Sequence, residues 1–352
     1  MGNIQEPFEF YKQSVLTTSS NDSIASFAAK TGVEIEAPGR NFKLSIVIPV
    51  FNEEENVSAL AVELKRTLDR YANYEVIFID DGSRDRTLEF IKYVCKTEQN
   101  FFFISFSRNF GHQNALRAGI EKSTGDVVIT MDGDLQHPPA LIHEMIQSWQ
   151  SGYDVVFTTR NDCRNVSRFK KTTSSFFYSF LNNITEVDLK KGTADFRLFD
   201  KKVVAALRQF QETSIFYRGI FAWLGFKQME IPYIPQQRQH GKSKYTLKKM
   251  ISLAIDGISS FSLLPLRLAS LVGLILASVS FLYVLYAGYI KFFTMEAVSG
   301  WFSVMAGIYF LGGIQLLFLG VCGEYIGKIY LETKKRPHYI ISETNYQSCS
   351  FK

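Results

Sequence analysis

Four short apolar runs constrain this chain most. Leu44–Val50 (LSIVIPV), Tyr74–Asp80 (YEVIFID), Phe101–Ser105 (FFFIS) and Val127–Met131 (VVITM) read as buried strands. Helical patterns lie between them. FNEEENVSALAVELKRTLDRY carries acids at its start and apolar residues at helical spacing. DDGSRDRT opens the next helix, with Asp85 as its cap. NFGHQNALRAGIEKSTG reads as a helix stopped by Gly125. Farther on come a helix (LIHEMIQSWQSG), a strand ending at Arg160 (YDVVFTTR), and a strand, Gly192–Asp200 (GTADFRLFD), leading into helix KKVVAALRQF. This alternation predicts an α/β fold: a mostly parallel sheet with helices on both faces.

Polar residues gather where the strands end. Asn52 and Glu53 follow the first strand, Asp80 and Asp81 close the second, and Asp132, Asp134 and Gln136 follow the fourth. In open α/β sheets ligands bind beyond the carboxyl ends of the strands, so these groups can face one cleft. Two carboxylates and an amide oxygen form a hard-oxygen site suited to Mg²⁺ or Mn²⁺, completed by substrate phosphates. The same pattern also fits a strand followed by an Asx-type turn with its acids in water.

The chain has 352 residues, enough for one large domain and an appendage. Lys+Arg 39 against Asp+Glu 34 gives +5, which is mildly basic and points to no nucleic-acid partner. Cys95, Cys163, Cys322 and Cys349 are widely spaced, which argues against a zinc site or a disulfide framework. Residues 1–40 are polar and mixed and read as a flexible extension, with a short amphipathic helix at Ile24–Lys30. No basic-then-apolar start suggests a cleaved signal peptide, so the soluble part is expected in the cytosol.

The second half turns towards a membrane. Arg164–Phe180 is basic, then aromatic; Phe216–Gly225 is apolar but carries Arg218, expected to pair with an acid or a lipid phosphate. Tyr233–Tyr245 (YIPQQRQHGKSKY) reads as a basic mobile loop, and Leu247–Ser262 as a helix along a membrane surface. Leu268–Ile290 and Trp301–Cys322 carry no charge, and about 20 apolar residues suffice to cross a bilayer. The rival reading, a pair of buried core helices, fits such long uncharged spans poorly. Lysines and arginines before the first span and after the second place both flanks in the cytosol. The expected organisation is therefore an extension (1–40), a cytosolic sheet domain (41–240), a basic loop and interfacial helix (241–267), spans 268–290 and 301–322, and a cytosolic basic tail (323–352). A multi-pass protein of the inner (plasma) membrane follows, one whose few spans suit packing against copies of itself.

VIPVFNEEEN, FIDDGSRDRT, MDGDLQHPP, GTADFRLFD and QRQHGKSKY, in this order and before a two-helix hairpin, resemble the family-2 glycosyltransferases that load polyisoprenyl phosphates. The subgroup resembled is the bactoprenol glucosyltransferase and dolichol-phosphate mannosyltransferase type, over Leu44 to Arg336. The resemblance implies a GT-A fold and transfer of one sugar, with inversion, from a nucleotide-sugar to polyprenyl (undecaprenyl or dolichyl) phosphate. It implies that Pro49, Phe51 and Glu53 line the nucleotide and that Asp81, beside Asp80, contacts the base. Asp132, Gly133, Asp134 and Gln136 match the metal and diphosphate site. Arg160, Arg168 and Arg238 match arginines for the acceptor phosphate and diphosphate, with Lys244 and Thr172 as further candidates. Asp195 and Arg197 match the catalytic floor, or equally an ion pair that rigidifies it. The hairpin and the EYIGKIYLETKKRP ending resemble the glucosyl type, which favours UDP-glucose and a lipid-linked donor for cell-envelope glycan modification.

Elementary chemistry agrees. A nucleoside diphosphate leaving group needs its charge neutralised, and a divalent ion does that as a Lewis acid. A phosphate monoester, with a second pKa of about 6, is already largely ionised and needs no general base. Arginine forks suit its oxygens. His112 and Arg117 read as capping or packing residues, and His137 as a residue that positions its loop. Rival readings are a processive polysaccharide synthase, a non-catalytic membrane scaffold and a lipid-linked sugar flippase. The first should carry Q-x-x-R-W, whereas Gln236, Gln237 and Arg238 have no following Trp. The scaffold should lose its acids, and the flippase needs more spans.

Overall fold

The structure is a computed structural model, described for residues 42–160, 192–212, 217–234, 264–293 and 300–346. The four apolar runs form β1 (Leu44–Val50), β2 (Tyr74–Asp80), β3 (Phe101–Phe106) and β4 (Val127–Thr130). The helices between and after them are α1 (Val57–Leu68), α2 (Thr87–Thr97), α3 (His112–Lys122) and α4 (Leu141–Gln150). Then follow β5 (Val155–Arg160), β6 (Thr193–Asp200), α5 (Lys201–Leu207), α6 (Tyr217–Trp223) and β7 (Gln228–Tyr233). The chain continues with α7 (Leu264–Phe293), α8 (Trp301–Thr333) and β8 (Ile341–Thr344).

All strands join one sheet in the order β7-β5-β6-β4-β1-β2-β3-β8. β1 runs parallel to β2 and β4, β2 to β3, and β5 to β7. β6 is antiparallel to β4 and β5, and β8 to β3. The parallel heart is the predicted one; the reversed β6 is not visible in a hydrophobic pattern, which carries no strand direction. Asp200 ends β6 and accepts the Lys202 N–H at 2.9 Å, capping α5 directly.

β1 is buried along its whole length because helices cover both faces. Ile46, Ile48 and Val50 pack in one cluster with Leu60 and Leu64 of α1, Ile91 of α2 and Ile142 of α4. Val47 points the other way, against Gly119 of α3, where a Cβ would come within 2.1 Å of Val47 Cγ1. Only glycine lets α3 lie this close, and α3 carries His112 at its first turn.

β8 was read as part of a basic tail, yet it closes the β3 edge of the sheet. Asn345 Oδ1 accepts the Phe103 N–H at 2.7 Å, Lys92 pairs with Glu343 at 2.6 Å, and the Tyr346 hydroxyl donates to Glu75 Oε2 at 3.0 Å. Glu75 is also met by Lys43, Ser45 and Thr124. This buried hub ties the tail to β1, β2 and the α3–β4 turn.

α7 and α8 form a separate unit. Each is long and apolar enough to cross a membrane, by windows Leu266–Tyr283 and Phe310–Thr333, neither of them buried. Both helices run beyond the uncharged spans read from sequence, to Leu264 on one side and Thr333 on the other. Residues 1–40 and most of the loop and interfacial helix at 241–267 lie outside the described residues.

Candidate active site

The loops at the carboxyl ends of β1 and β2 are laced together by their own side chains. Asn52, at φ 53°, donates its N–H to Ser83 Oγ (3.0 Å) and accepts the Arg84 N–H on Oδ1 (2.9 Å). Glu53 donates its N–H to Thr87 Oγ1 and accepts from Asn56 Nδ2 on Oε2. Asp85, expected as the cap of α2, stands one residue before the cap position, Arg86, and its carboxylate accepts the Thr87 N–H at 3.0 Å. Pro49 lies in β1, and Phe51 is half-buried just beyond it.

The two acids of the second loop face different partners. Asp80 is buried and accepts from Ser105 Oγ (2.8 Å) and the Ser83 N–H (3.0 Å). It also lines a polar cavity of ≈ 380 Å³ with Arg84, Arg108 and Asn109. Asp81 accepts the Phe110 N–H at 2.7 Å and the Gly111 N–H at 3.0 Å. Burial raises the Asp81 carboxyl above its ordinary range, although these two N–H bonds oppose the shift.

Asp132 and Asp134 flank Gly133 directly after β4. A Cβ on Gly133 would meet Cγ1 of the buried Val50 at 2.7 Å, so glycine leaves this turn room against β1. Asp134 Oδ1 accepts the Gln136 N–H at 3.2 Å, closing an Asx-type turn. The Asx-type turn read from the sequence is therefore present, and Asp132 keeps part of its carboxylate exposed. Leu135 sits at φ 60° with its side chain buried. A non-glycine residue there costs about 1–3 kcal/mol, so burial of Leu135 holds the loop in a shape it would not take alone.

Three further side chains complete the arrangement. His112 Nε2 lies 3.6 Å from Asp132 Oδ1 and 3.6 Å from Asp195 Oδ2, so one imidazole stands between two acids of different strands. Asp195 is held through its carbonyl, which accepts from Thr130 Oγ1 at 2.7 Å. Arg160, at the end of β5, donates Nε–H to the Tyr233 hydroxyl at 3.2 Å. Burial works against the Arg160 charge, yet Tyr233, Asp132 and Asp134 raise its pKa further. The guanidinium is therefore a permanent cation within the field of both acids. Arg197 turns to the Ala194 carbonyl (3.2 Å) and lies 4.7 Å from the centroid of the Phe221 ring, a structural setting.

The structure thus gathers Asp132, Asp134, Asp195 and Arg160. It sets Asp80 and Asp81 as fasteners of the neighbouring loops. Arg168, Thr172, Arg238 and Lys244 lie outside the described residues. The sequence reads His112 only as a capping or packing residue and gives Tyr233 no role in the site. The signal for His112 was its place at the start of a helix on the ligand-bearing edge of the sheet. Arg117, read as a packing residue, is one: it pairs with Glu121 and donates to the Glu212 and Phe210 carbonyls.

Among the described residues no three His, Cys, Asp or Glu side chains form a ready metal cage. Two carboxylates and the Gln136 amide suit a cation that takes its remaining ligands from phosphate and water, which is the habit of Mg²⁺. Asp132 is 27% exposed and can be reached from the cleft.

Residues 45–208 match the family described as glycosyl transferase family 2, and residues 264–329 match the GtrB C-terminal hairpin. The chain is 42% identical to the uncharacterized glycosyltransferase YkcC of Bacillus subtilis, over 87% of this chain and 95% of that one. It is 40% identical to the bactoprenol glucosyl transferase of Shigella phage SfX, over 85% of this chain and 98% of that one. Among solved structures, it is similar to the mannosyltransferase PcManGT of Pyrobaculum calidifontis in complex with GDP-Man and Mn²⁺ (14% identity, TM-score 0.40, 92% of both chains).

Proposed function

The chain belongs to glycosyl transferase family 2, and from that premise we propose that it moves one glucose from UDP-glucose to undecaprenyl phosphate at the cytosolic face of the plasma membrane. The observation that carries the reading is the placement of Asp132 and Asp134, after β4, and Arg160, at the end of β5, in one sheet, with the guanidinium in the field of both acids. Acids for a cation-bound leaving group and a fixed cation for an anionic nucleophile are what transfer to a phosphate requires. The bactoprenol glucosyl transferase of phage SfX, matched over nearly its full length, supports the lipid class and the sugar. The apolar helices α7 and α8 support an enzyme that meets its acceptor at the membrane.

In this reading Pro49, Phe51, Glu53, Asp80 and Asp81 shape the nucleotide end of the cleft, and Asp132, Asp134 and Gln136 would hold Mg²⁺ or Mn²⁺. That ion, when bound, offsets the negative charge growing on the departing diphosphate. Arg160 draws the acceptor phosphate towards the sugar and holds its oxygens for attack on the anomeric carbon from the face opposite the diphosphate, which inverts the configuration. Arg168, Thr172, Arg238 and Lys244 are proposed as further acceptor contacts. The phosphate arrives ionised, so no residue has to remove a proton. Asp195 forms the floor beneath the sugar. The product is a lipid-linked sugar for envelope glycan modification. The hairpin would cross the membrane with its tip outside, as the flanking basic residues favour.

The test is a donor panel. Purified protein is given undecaprenyl phosphate, Mn²⁺ or Mg²⁺ and each nucleotide-sugar in turn, and the lipid is read by mass spectrometry. A hexose-phosphate lipid from UDP-glucose supports the proposal. A lipid from another donor replaces the sugar, and no lipid with any donor rejects the acceptor.

A further inference from the structure

His137 is fully buried beside Asp132, Phe196 and Tyr233. Its Nδ1 accepts the Asp132 N–H at 3.1 Å. A backbone N–H can only donate, so in the neutral ring the hydrogen sits on Nε2. That Nε2 lies 3.7 Å from Asp132 Oδ2 and has no hydrogen-bond partner among the described residues. The ring stacks on Phe196, next to Asp195, with centroids 5.2 Å apart and planes at 18°. Its edge meets Tyr233 at 5.9 Å, the residue whose hydroxyl takes up Arg160 Nε–H.

We propose that His137 is a positioning residue whose Nδ1 fixes the Asp132 backbone while its Nε2–H is a donor reserved for the Asp132 carboxylate in the donor-bound state. The inference rests on the reading that Asp132 faces the donor diphosphate. A buried N–H without an acceptor is unusual in folded proteins and calls for an explanation. Here an acceptor stands close by: the Asp132 carboxylate, at 3.7 Å, is about 0.8 Å beyond hydrogen-bond distance. A small turn of the Asp132 carboxylate would close 3.7 Å to about 2.9 Å and satisfy the N–H. With both ends of Asp132 tied to one ring, and that ring wedged between Phe196 and Tyr233, the donor acid and the acceptor arginine share a single rigid support.

The experiment uses the full chain in lipid nanodiscs and calorimetric binding of UDP or GDP with Mn²⁺, with no acceptor present. In His137→Asn the amide oxygen can still take the Asp132 N–H, but no donor reaches the carboxylate. In His137→Gln the longer amide can restore that donor. His137→Asn and His137→Gln are expected to lower the melting temperature alike, since both remove the packed ring, while His137→Asn weakens nucleotide–Mn²⁺ binding by about 10- to 100-fold, the range for losing an outer partner of a ligating side chain. His137→Gln is expected to recover part of the loss. Equal binding by parent and His137→Asn overturns the inference while leaving the transferase reading intact, as does equal loss in both variants. A parent chain that binds neither nucleotide overturns the donor reading and this inference with it.

Discussion

The carboxylate of Asp81 holds the backbone N–H of Gly111 at 3.0 Å, and so the end of β2 decides where α3 begins. Gly111 stands at φ 98°, a conformation open to glycine, and His112 follows it into the gap between Asp132 and Asp195. Asp81→Ala frees two part-buried N–H groups and is expected to lower stability by about 1–2 kcal/mol. Nucleotide affinity should fall with it. Denaturant unfolding of the parent and the variant measures the first, and an unchanged midpoint would contradict the account.

His112 is expected to matter for turnover and little for folding. It is 41% exposed, and substitutions at such positions usually shift stability by less than about 0.5 kcal/mol. His112→Ala leaves Asp132 and Asp195 facing each other without the imidazole. Sugar transfer should drop by about 10- to 100-fold, the range for losing an outer partner of a ligating side chain. Steady-state rates beside a thermal melt separate the two effects. Full activity in the variant would return His112 to a capping role.

Glu75 makes stability depend on acid. Burial alone would raise its pKa, but hydrogen bonds from Lys43, Ser45 and Thr124 outweigh burial and bring it below the ordinary carboxylate value of 4.5. A depressed folded pKa means stability that is fully present above the unfolded value and lost as pH falls through the folded one. Unfolding free energy should therefore decline below about pH 4.5 in the parent. Glu75→Gln should be less stable near neutrality and show a shallower decline. An equal slope in both proteins would contradict the assignment.

Much of this was legible in the sequence, for physical reasons that also mark where legibility ends. β1 to β4 were plain because both faces of a parallel core are buried, which leaves continuous apolar runs ending in polar loops. Most of β7 falls in a stretch, 226–232, that carries no readable pattern, since Glu230 and Pro232 interrupt it and the strand lies on a sheet edge where half of it is exposed. β8, ISET, has no apolar pattern at all and exists because β3 offers it an edge. In the site, Asp132, Asp134 and Arg160 were found because strand ends announce them. The contact of His112 with Asp195 joins positions 83 residues apart, and nothing local in the chain encodes it. The same holds for the left-handed turn at Leu135, which tertiary burial imposes on an ordinary residue.

The closing strand gives a separate expectation. Removing Ile341 onwards strips β3 of its antiparallel partner and Glu75 of the Tyr346 hydroxyl. An exposed edge invites pairing between chains. The truncated protein should aggregate on mild heating, whereas Asn345→Ala alone should cost about 1 kcal/mol, a typical single hydrogen bond. Light scattering during a thermal ramp reads both, and a truncated chain that melts like the parent would show that β8 is dispensable.

The most direct test of the whole account is transfer of labelled glucose from UDP-glucose to undecaprenyl phosphate by the purified chain, beside Asp134→Asn and a chelated sample. The account predicts a labelled lipid that survives in neither control. Labelled lipid made equally well by Asp134→Asn, or none made by a parent chain that binds the nucleotide, would contradict it.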